Sequence, residues 1–260
     1  MKLEQVLREV EGLNRRFVYY LEAQGYIRPT QIPKQRIARR DYSPADVARI
    51  KAIWRYYQRG YSLQAAAELA QRAERQHAYA LFPVPQRRLR HTLDLLRSLE
   101  QVEEAAALYA ADANMLVRLR AADEADVYDV LARAFLQQDI AGVPTVWRIQ
   151  ERVVNPPPTL AGLGRALGDG QAYGEQRPML AYVLIRVPAK HVGGLLEELR
   201  KYEYVREVSA IYGETDVIAK VEVPNQEALD DLIMNKIQEI PVVESTRTFI
   251  TIGGMHWSRD

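Results

Sequence analysis

Residues Ala78–Tyr109, AYALFPVPQRRLRHTLDLLRSLEQVEEAAALY, are written a second time at Ala181–Tyr212, AYVLIRVPAKHVGGLLEELRKYEYVREVSAIY. The two stretches align without a gap at a constant offset of 103, and 13 of their 32 positions are identical. Ordinary composition would give about two identities by chance. The match continues with one extra residue in the first copy near Asp112 and two more near Gln138, which bring Ile140 and Val143 opposite Ile240 and Val243. A duplication of this length settles the architecture before any motif is read: one domain occurs twice, behind a different N-terminal module.

Each copy reads strand, helix, strand, strand, helix, strand. In the second copy the expected elements are 180–187, 190–201, 205–212, 216–223, 226–238 and 243–252. The first helix places Val192, Leu195, Leu196 and Leu199 at helical spacing, and the third strand alternates Val217, Ala219, Val221 and Val223 with Lys220 and Glu222. The first-copy equivalents are 79–84, 87–99, 102–109, 115–120, 124–137 and 143–153. This order predicts a ferredoxin-like βαββαβ sheet with both helices on one face. Strands such as AYVLIRV are apolar on both sides, so the opposite face needs a cover. Two such sheets pair, either within the chain or between chains.

Ahead of the repeats, residues 4–11 form a short helix stopped by Gly12, and Asn14 caps a second helix over 15–24 that ends at Gly25. Two short helices around a tight turn are a helix-turn-helix, whose second helix enters a major groove. That helix carries Arg15 and Arg16 at its start and Tyr19 and Tyr20 a turn later. Arginine pairs bidentately with guanine, and tyrosine hydroxyls hold phosphate oxygens. The stretch 29–40 contains Lys34, Arg36, Arg39 and Arg40 among prolines and reads as a basic wing along the phosphate backbone. Ser43 caps a third helix that starts at Pro44 and runs to Gln58, and Ser62 caps a fourth to about Arg75. Trp54, Tyr56 and Tyr57 lie at helical spacing and read as core and packing contacts rather than a stacking platform.

Four fragments in register carry a family resemblance. They are Gly12-Leu13-Asn14, the run Tyr19-Tyr20-Leu21-Glu22-Ala23-Gln24-Gly25-Tyr26-Ile27-Arg28-Pro29, the run from Arg40-Asp41-Tyr42-Ser43 to Asp46-Val47-Ala48-Arg49-Ile50, and Gly60-Tyr61-Ser62-Leu63. Over roughly 3–75 the chain resembles the MerR-type DNA-binding domain, which implies a winged helix-turn-helix. The residues it places on DNA are Asn14, Arg15, Arg16, Tyr19, Tyr20, Lys34, Arg36, Arg39, Arg40 and Tyr42. The chain departs from the family pattern at Tyr19 and Leu21, and in a wing without the usual glycine. It also lacks the long coiled-coil helix that pairs MerR-like heads, because the first repeat begins near His77.

The second copy is similar to the Lrp/AsnC (RAM) effector domain, on Val205-Arg206-Glu207-Val208 leading to Tyr212-Gly213-Glu214-Thr215-Asp216-Val217. The resemblance implies a small-molecule pocket at this turn, with Tyr212, Gly213, Thr215 and Asp216 as effector-binding residues and an amino acid as a candidate effector. Asp216 either holds an α-ammonium group or caps its own turn. The first copy has Ala110 and Asn114 at the positions of Gly213 and Asp216 and looks degenerate.

The resulting fold class is α+β: a winged helix-turn-helix over 1–76, ferredoxin-like domains over 77–154 and 179–254, and a Pro/Gly-rich linker over 155–178. That linker has no Lys-Ser/Thr and no preceding strand, so it is not a phosphate loop.

Composition narrows the function classes. The formal net charge is +1, yet residues 1–76 carry a net +7 and the remainder a net −6, which places a polyanion partner at one end only. With no cysteine there is no disulfide, thiolate metal site or cysteine nucleophile. Mean hydropathy is −0.29, and no apolar run reaches the roughly 18 residues of a membrane span. The start lacks a secretory segment and reads as mature from Met1, so a cytoplasmic protein without membrane contact is expected. His77, His91, His191 and His256 make no metal-ligand spacing, no nucleophile signature occurs, and no metal or cofactor is expected. The acid pairs Glu103/Glu104 and Asp230/Asp231 read as solvated.

These readings converge on a transcriptional regulator that binds double-stranded DNA, forms a homodimer through its RAM-like domains and responds to a small effector. The competing readings are a tetrapyrrole enzyme like the siroheme decarboxylases of Lrp/AsnC architecture, with His191 as its candidate histidine, and an assembly module without a ligand.

Overall fold

Side-chain caps and glycines punctuate the first 75 residues. The computed structural model describes residues 1–33, 39–138, 140, 142–155 and 178–259. Helix α1 spans Leu3–Glu9 and α2 spans Arg15–Ala23. Between them Gly12 takes a φ of 74°, a left-handed turn that costs glycine nothing and an L-side chain about 1–2 kcal/mol. The Asn14 side chain caps α2 by accepting from the Phe17 N–H at 2.9 Å. A hairpin of β1 (Thr30–Ile32) and β2 (Arg39–Asp41) follows, in antiparallel register from Thr30↔Asp41 to Ile32↔Arg39. Helix α3 is Pro44–Gln58, started by a capping box between Ser43 and Asp46, and α4 is Leu63–Ala73, capped by Ser62.

The apolar positions of these helices converge on Val6, Val18, Leu21, Ile50, Ile53 and Tyr56, all buried. Phe17 sits edge-on to Trp54 at 4.8 Å and 5.0 Å from Tyr57, which fastens α2 to α3.

Residues 76–260 form the second unit. Its elements are β3 (His77–Phe82), α5 (Leu89–Ser98), β4 (Val102–Leu108), β5 (Met115–Arg120), α6 (Glu124–Gln138) and β6 (Thr145–Val154). Then come β7 (Met179–Arg186), α7 (Val192–Leu199), β8 (Val205–Tyr212), β9 (Val217–Val223), α8 (Gln226–Asp230) and β10 (Ser245–Ser258). Helix α8 continues as a π-helical stretch, Asp231–Ile237, where the expectation was one α-helix.

Each repeat has the expected element order, but they are not two separate ferredoxin-like domains. Their eight strands close into one barrel in the order β10-β4-β5-β3-β6-β8-β9-β7. The strands that close it are the last of each copy. β6 pairs with β3 over Thr145–Arg148 and then with β8 over Arg148–Val154. β10 pairs with β7 over Ser245–Ile250 and then with β4, through a bulge between Thr251 and His256. Both strands outrun the residues their own sheet needs, which is why β10 reaches Ser258 rather than the expected 252. Closure leaves neither sheet with a free edge, removing the liability of an open edge strand.

Alternation then sorts the side chains. Ala78, Ala80, Phe82, Ala105, Ala107, Val117 and Leu119 pack outward under α5 and α6, and the second copy repeats this under α7 and α8. The opposite faces supply Tyr79, Leu81, Leu108, Trp147, Tyr182, Leu184, Ile218 and Phe249, which meet one another from both copies inside the barrel. The apolar face that needed a cover is therefore covered within the chain.

Candidate functional sites

Helix α2 buries Phe17, Val18 and Leu21 and leaves Arg15, Arg16, Tyr19 and Tyr20 exposed. This split follows from helical period alone. Arg15 pairs with Glu4 on the surface, a contact that costs little to exchange. Asn14 is occupied as the N-cap. Arg40 donates through Nε to Glu22 at 2.6 Å and lies 4.9 Å over the Tyr19 ring, so it braces β2 against α2. Lys34, Arg36 and the side chain of Arg39 lie outside the described residues.

Tyr42 is a correction. It is 1% exposed and belongs to the core of this unit, so it contacts no phosphate. Its hydroxyl is buried without a hydrogen-bond partner among the described residues, and burial together with the Glu22 carboxylate pushes it up to about 12. Tyr42→Phe removes an unsatisfied hydroxyl, worth about 1–3 kcal/mol of desolvation. The unfolding midpoint of that variant should hold or rise, with DNA affinity unchanged. A loss of affinity with stability intact would restore Tyr42 to the interface.

The Tyr212–Asp216 turn is also only partly as expected. Tyr212 is exposed at the end of β8. The Asp216 carboxylate accepts from the Val187 N–H at 3.0 Å. Its repeat equivalent Asn114 accepts from the Val84 N–H at 2.7 Å and donates to the Val84 carbonyl at 2.9 Å. Both residues pin the loop after the first strand of their copy, so the first-copy turn keeps its structural function despite the change of residue type. Thr215 borders a pocket of about 390 Å³ with Arg186 and Arg247, which Tyr212, Gly213 and Asp216 do not line.

Gly213 is required by close approach: a Cβ there would lie 2.2 Å from Cδ1 of Trp147. Trp147 is buried and cannot give way freely. Gly213→Ala should cost about 1–3 kcal/mol by overpacking, read as a lower urea midpoint. An unchanged midpoint would mean that Trp147 can move.

Inside the barrel lies a site that reading the chain in order missed. Glu104 is buried, contrary to its reading as a solvated acid, as are Arg118 and Glu207. Cross-strand register brings Tyr79, Arg118 and Glu104 together in one copy and Tyr182, Lys220 and Glu207 in the other. The bonds then cross between copies. Tyr79 donates to Glu207 at 2.9 Å and Tyr182 to Glu104 at 2.5 Å. Arg118 donates to both oxygens of Glu207, at 2.9 and 2.7 Å, and Lys220 bonds Glu104. Arg152 adds a bond to Glu207 at 2.7 Å, and His256 Nε2 lies 2.9 Å from Glu104.

Burial alone would raise both carboxyls. For Glu207 the bond from Arg152 and the charges of Arg118 and Arg152 outweigh it; for Glu104 the contact with His256 and the charges of Lys220 and Arg118 do so. Both carboxyls are held below the usual range. Burial first, then the adjacent carboxylates, pushes the Tyr79 and Tyr182 hydroxyls up. The signal was present in the repeat, where Tyr79/Tyr182 and Glu104/Glu207 are among the identities.

A cleft of about 750 Å³ reaches this cluster at Glu207, Lys220 and His256. His191 ends a short 3₁₀ turn before α7 and lines neither cavity. Among the described residues no group of three or more His, Asp or Glu side chains is placed to hold a metal ion. No helix among them is long and apolar enough to cross a membrane.

Two fold types are thus joined in one chain: a helix-turn-helix with a wing hairpin, and a barrel of duplicated βαββαβ halves. The chain carries a MerR HTH family domain at its N-terminus, matched over 1–73, and an Lrp/AsnC ligand binding domain at its C-terminus, matched over 180–254. It is 36% identical to the HTH-type transcriptional regulator FL11 of Pyrococcus abyssi over 74 residues, 28% of this chain and 48% of that protein. The chain spans about half the length of the curated relatives it matches. AsnC of E. coli matches 34% of this chain and 64% of its own at 23% identity, with a TM-score of 0.29. A variant chlorite dismutase from Candidatus Nitrospira defluvii matches 68% of this chain and 90% of its own at 15% identity, with a TM-score of 0.41. Neither structural likeness bears on function.

Proposed function

We propose that the protein is a sequence-specific DNA-binding transcriptional regulator, not an enzyme, whose barrel half responds to a small effector. One observation carries the reading. The second helix of a MerR-type unit buries its apolar side and presents Arg15, Arg16, Tyr19 and Tyr20 to solvent, the arrangement a recognition helix needs. The net +7 of residues 1–76 supplies the sequence-independent attraction. The name of the Pyrococcus relatives agrees with this reading. The pocket beside Thr215 is where an amino acid would act.

The face by which RAM-like sheets pair is already used between the two repeats, so a homodimer would join outer barrel surfaces. Selection of bound duplexes from a random library at near-physiological salt tests the reading. Enrichment of a common motif supports it, and an inverted repeat in that motif supports two heads per site. No enrichment, with Arg16→Ala indistinguishable from wild type, would overturn it.

A further inference from the structure

We propose that the cleft above the barrel cluster is a binding site for a small apolar monocarboxylate that carries no amino group. It is separate from the Tyr212–Asp216 turn and does not depend on DNA binding. Charge points to an anion. The connected cluster contains Arg118, Arg120, Arg152 and Lys220 against Glu103, Glu104 and Glu207. Lys220 is the cation of this cluster that borders the cleft, where a carboxylate can meet it.

The repeat itself shows where the anion goes. Arg118 bridges Glu104 at 3.2 Å and Glu207 at 2.7 Å and is sealed in the interior. Its equivalent in the second copy is the shorter Lys220, which gives one bond to Glu104 and borders the cleft. An ammonium has three donors, so two are left for a carboxylate. Beside it the β10 ladder is interrupted between Thr251 and His256. Gly253 and Gly254 lie in that gap, with nothing among the described residues within 4 Å of where a Cβ would stand, and both line the cleft.

The walls contributed by Met179, Leu180, Ile250 and Ile252 suit a branched aliphatic chain. Among the described residues, both carboxylates of the cleft wall are already paired. Glu207 is taken by Arg118 and Arg152, and Glu222 by Arg206 at 3.1 Å. A volume of about 750 Å³ admits a molecule of this size.

The test is isothermal titration of the full chain at neutral pH, without DNA, using isocaproate, leucine and isocaproamide as probes. The three share a branched tail and differ in the groups at issue. Isocaproate should bind, and the neutral amide and leucine should each bind at least about tenfold more weakly, the worth of one charge-assisted hydrogen bond. Lys220→Met should weaken isocaproate binding by a similar factor. Because that variant disturbs a buried network, Gly253→Leu serves as the second: it lies outside the charges, has room for its Cβ and should fill the cleft. Absence of isocaproate binding at millimolar concentration would overturn the proposal. So would equal binding of the amide or of leucine, or binding that survives both substitutions.

Discussion

Arg118→Met should lower the stability of the barrel unit by about 3–5 kcal/mol at pH 7, the cost of removing one partner from a buried ion cluster. The guanidinium touches Glu103, Glu104 and Glu207, and the last two carboxylates are almost fully buried. Methionine fills similar space but supplies no charge, so part of the negative charge is left in the interior.

The pH dependence separates this cause from a packing defect. In the wild type, Glu104 and Glu207 titrate below the unfolded value of about 4.3. Their contribution is present above that value and is lost as pH falls through it towards the folded values. In the variant the same carboxylates are buried with less compensation, and protonation relieves the penalty. The stability gap between wild type and Arg118→Met should therefore shrink as pH drops from 7 towards 4, when urea midpoints are compared at each pH. A gap independent of pH would show that lost packing, not charge, is responsible.

Arg16→Ala should reduce affinity for the selected DNA site by about 1–3 kcal/mol, or roughly tenfold to a hundredfold, if Arg16 reads a guanine edge. Arg16 is exposed at the first turn of α2, and the Asn14 cap holds that turn in place. Loss of a base contact relaxes preference at one position of the motif. Loss of a phosphate contact instead weakens all sequences alike and lowers the salt slope by about one unit. Arg15→Ala should follow the same pattern with a smaller effect, because Arg15 first has to leave Glu4. Titrations of the selected site and of a scrambled duplex, each at several salt concentrations, distinguish these outcomes. Equal affinities for wild type and both variants would remove α2 from the interface.

Much of the architecture was legible in one dimension because it rests on local rules. Gly12, Asn14, Ser43 and Ser62 mark helix ends through turn conformation and side-chain caps, and α3 runs over Pro44–Gln58 as those marks imply. The duplication was legible because identity at fixed offset needs no structure to be seen, and it set the element order of both halves. Net charge by segment separated a basic head from an acidic body for the same reason.

Tertiary structure decided what depends on partners far apart in the chain. Closure of the barrel rests on β6 meeting β8 and β10 meeting β4, pairings that no local pattern encodes. Tyr42 looked like an interface residue because its motif said so, and only the packed core shows it buried. Glu104 looked solvated because it stands beside Glu103 as one of a pair of acids. Its partners Tyr182, Lys220 and His256 lie 78, 116 and 152 residues away. The chain alone determined that one half is written twice. Burial, which only the closed barrel supplies, turned two repeated glutamates into a single charged interior and left lysine, in place of arginine, facing a cleft.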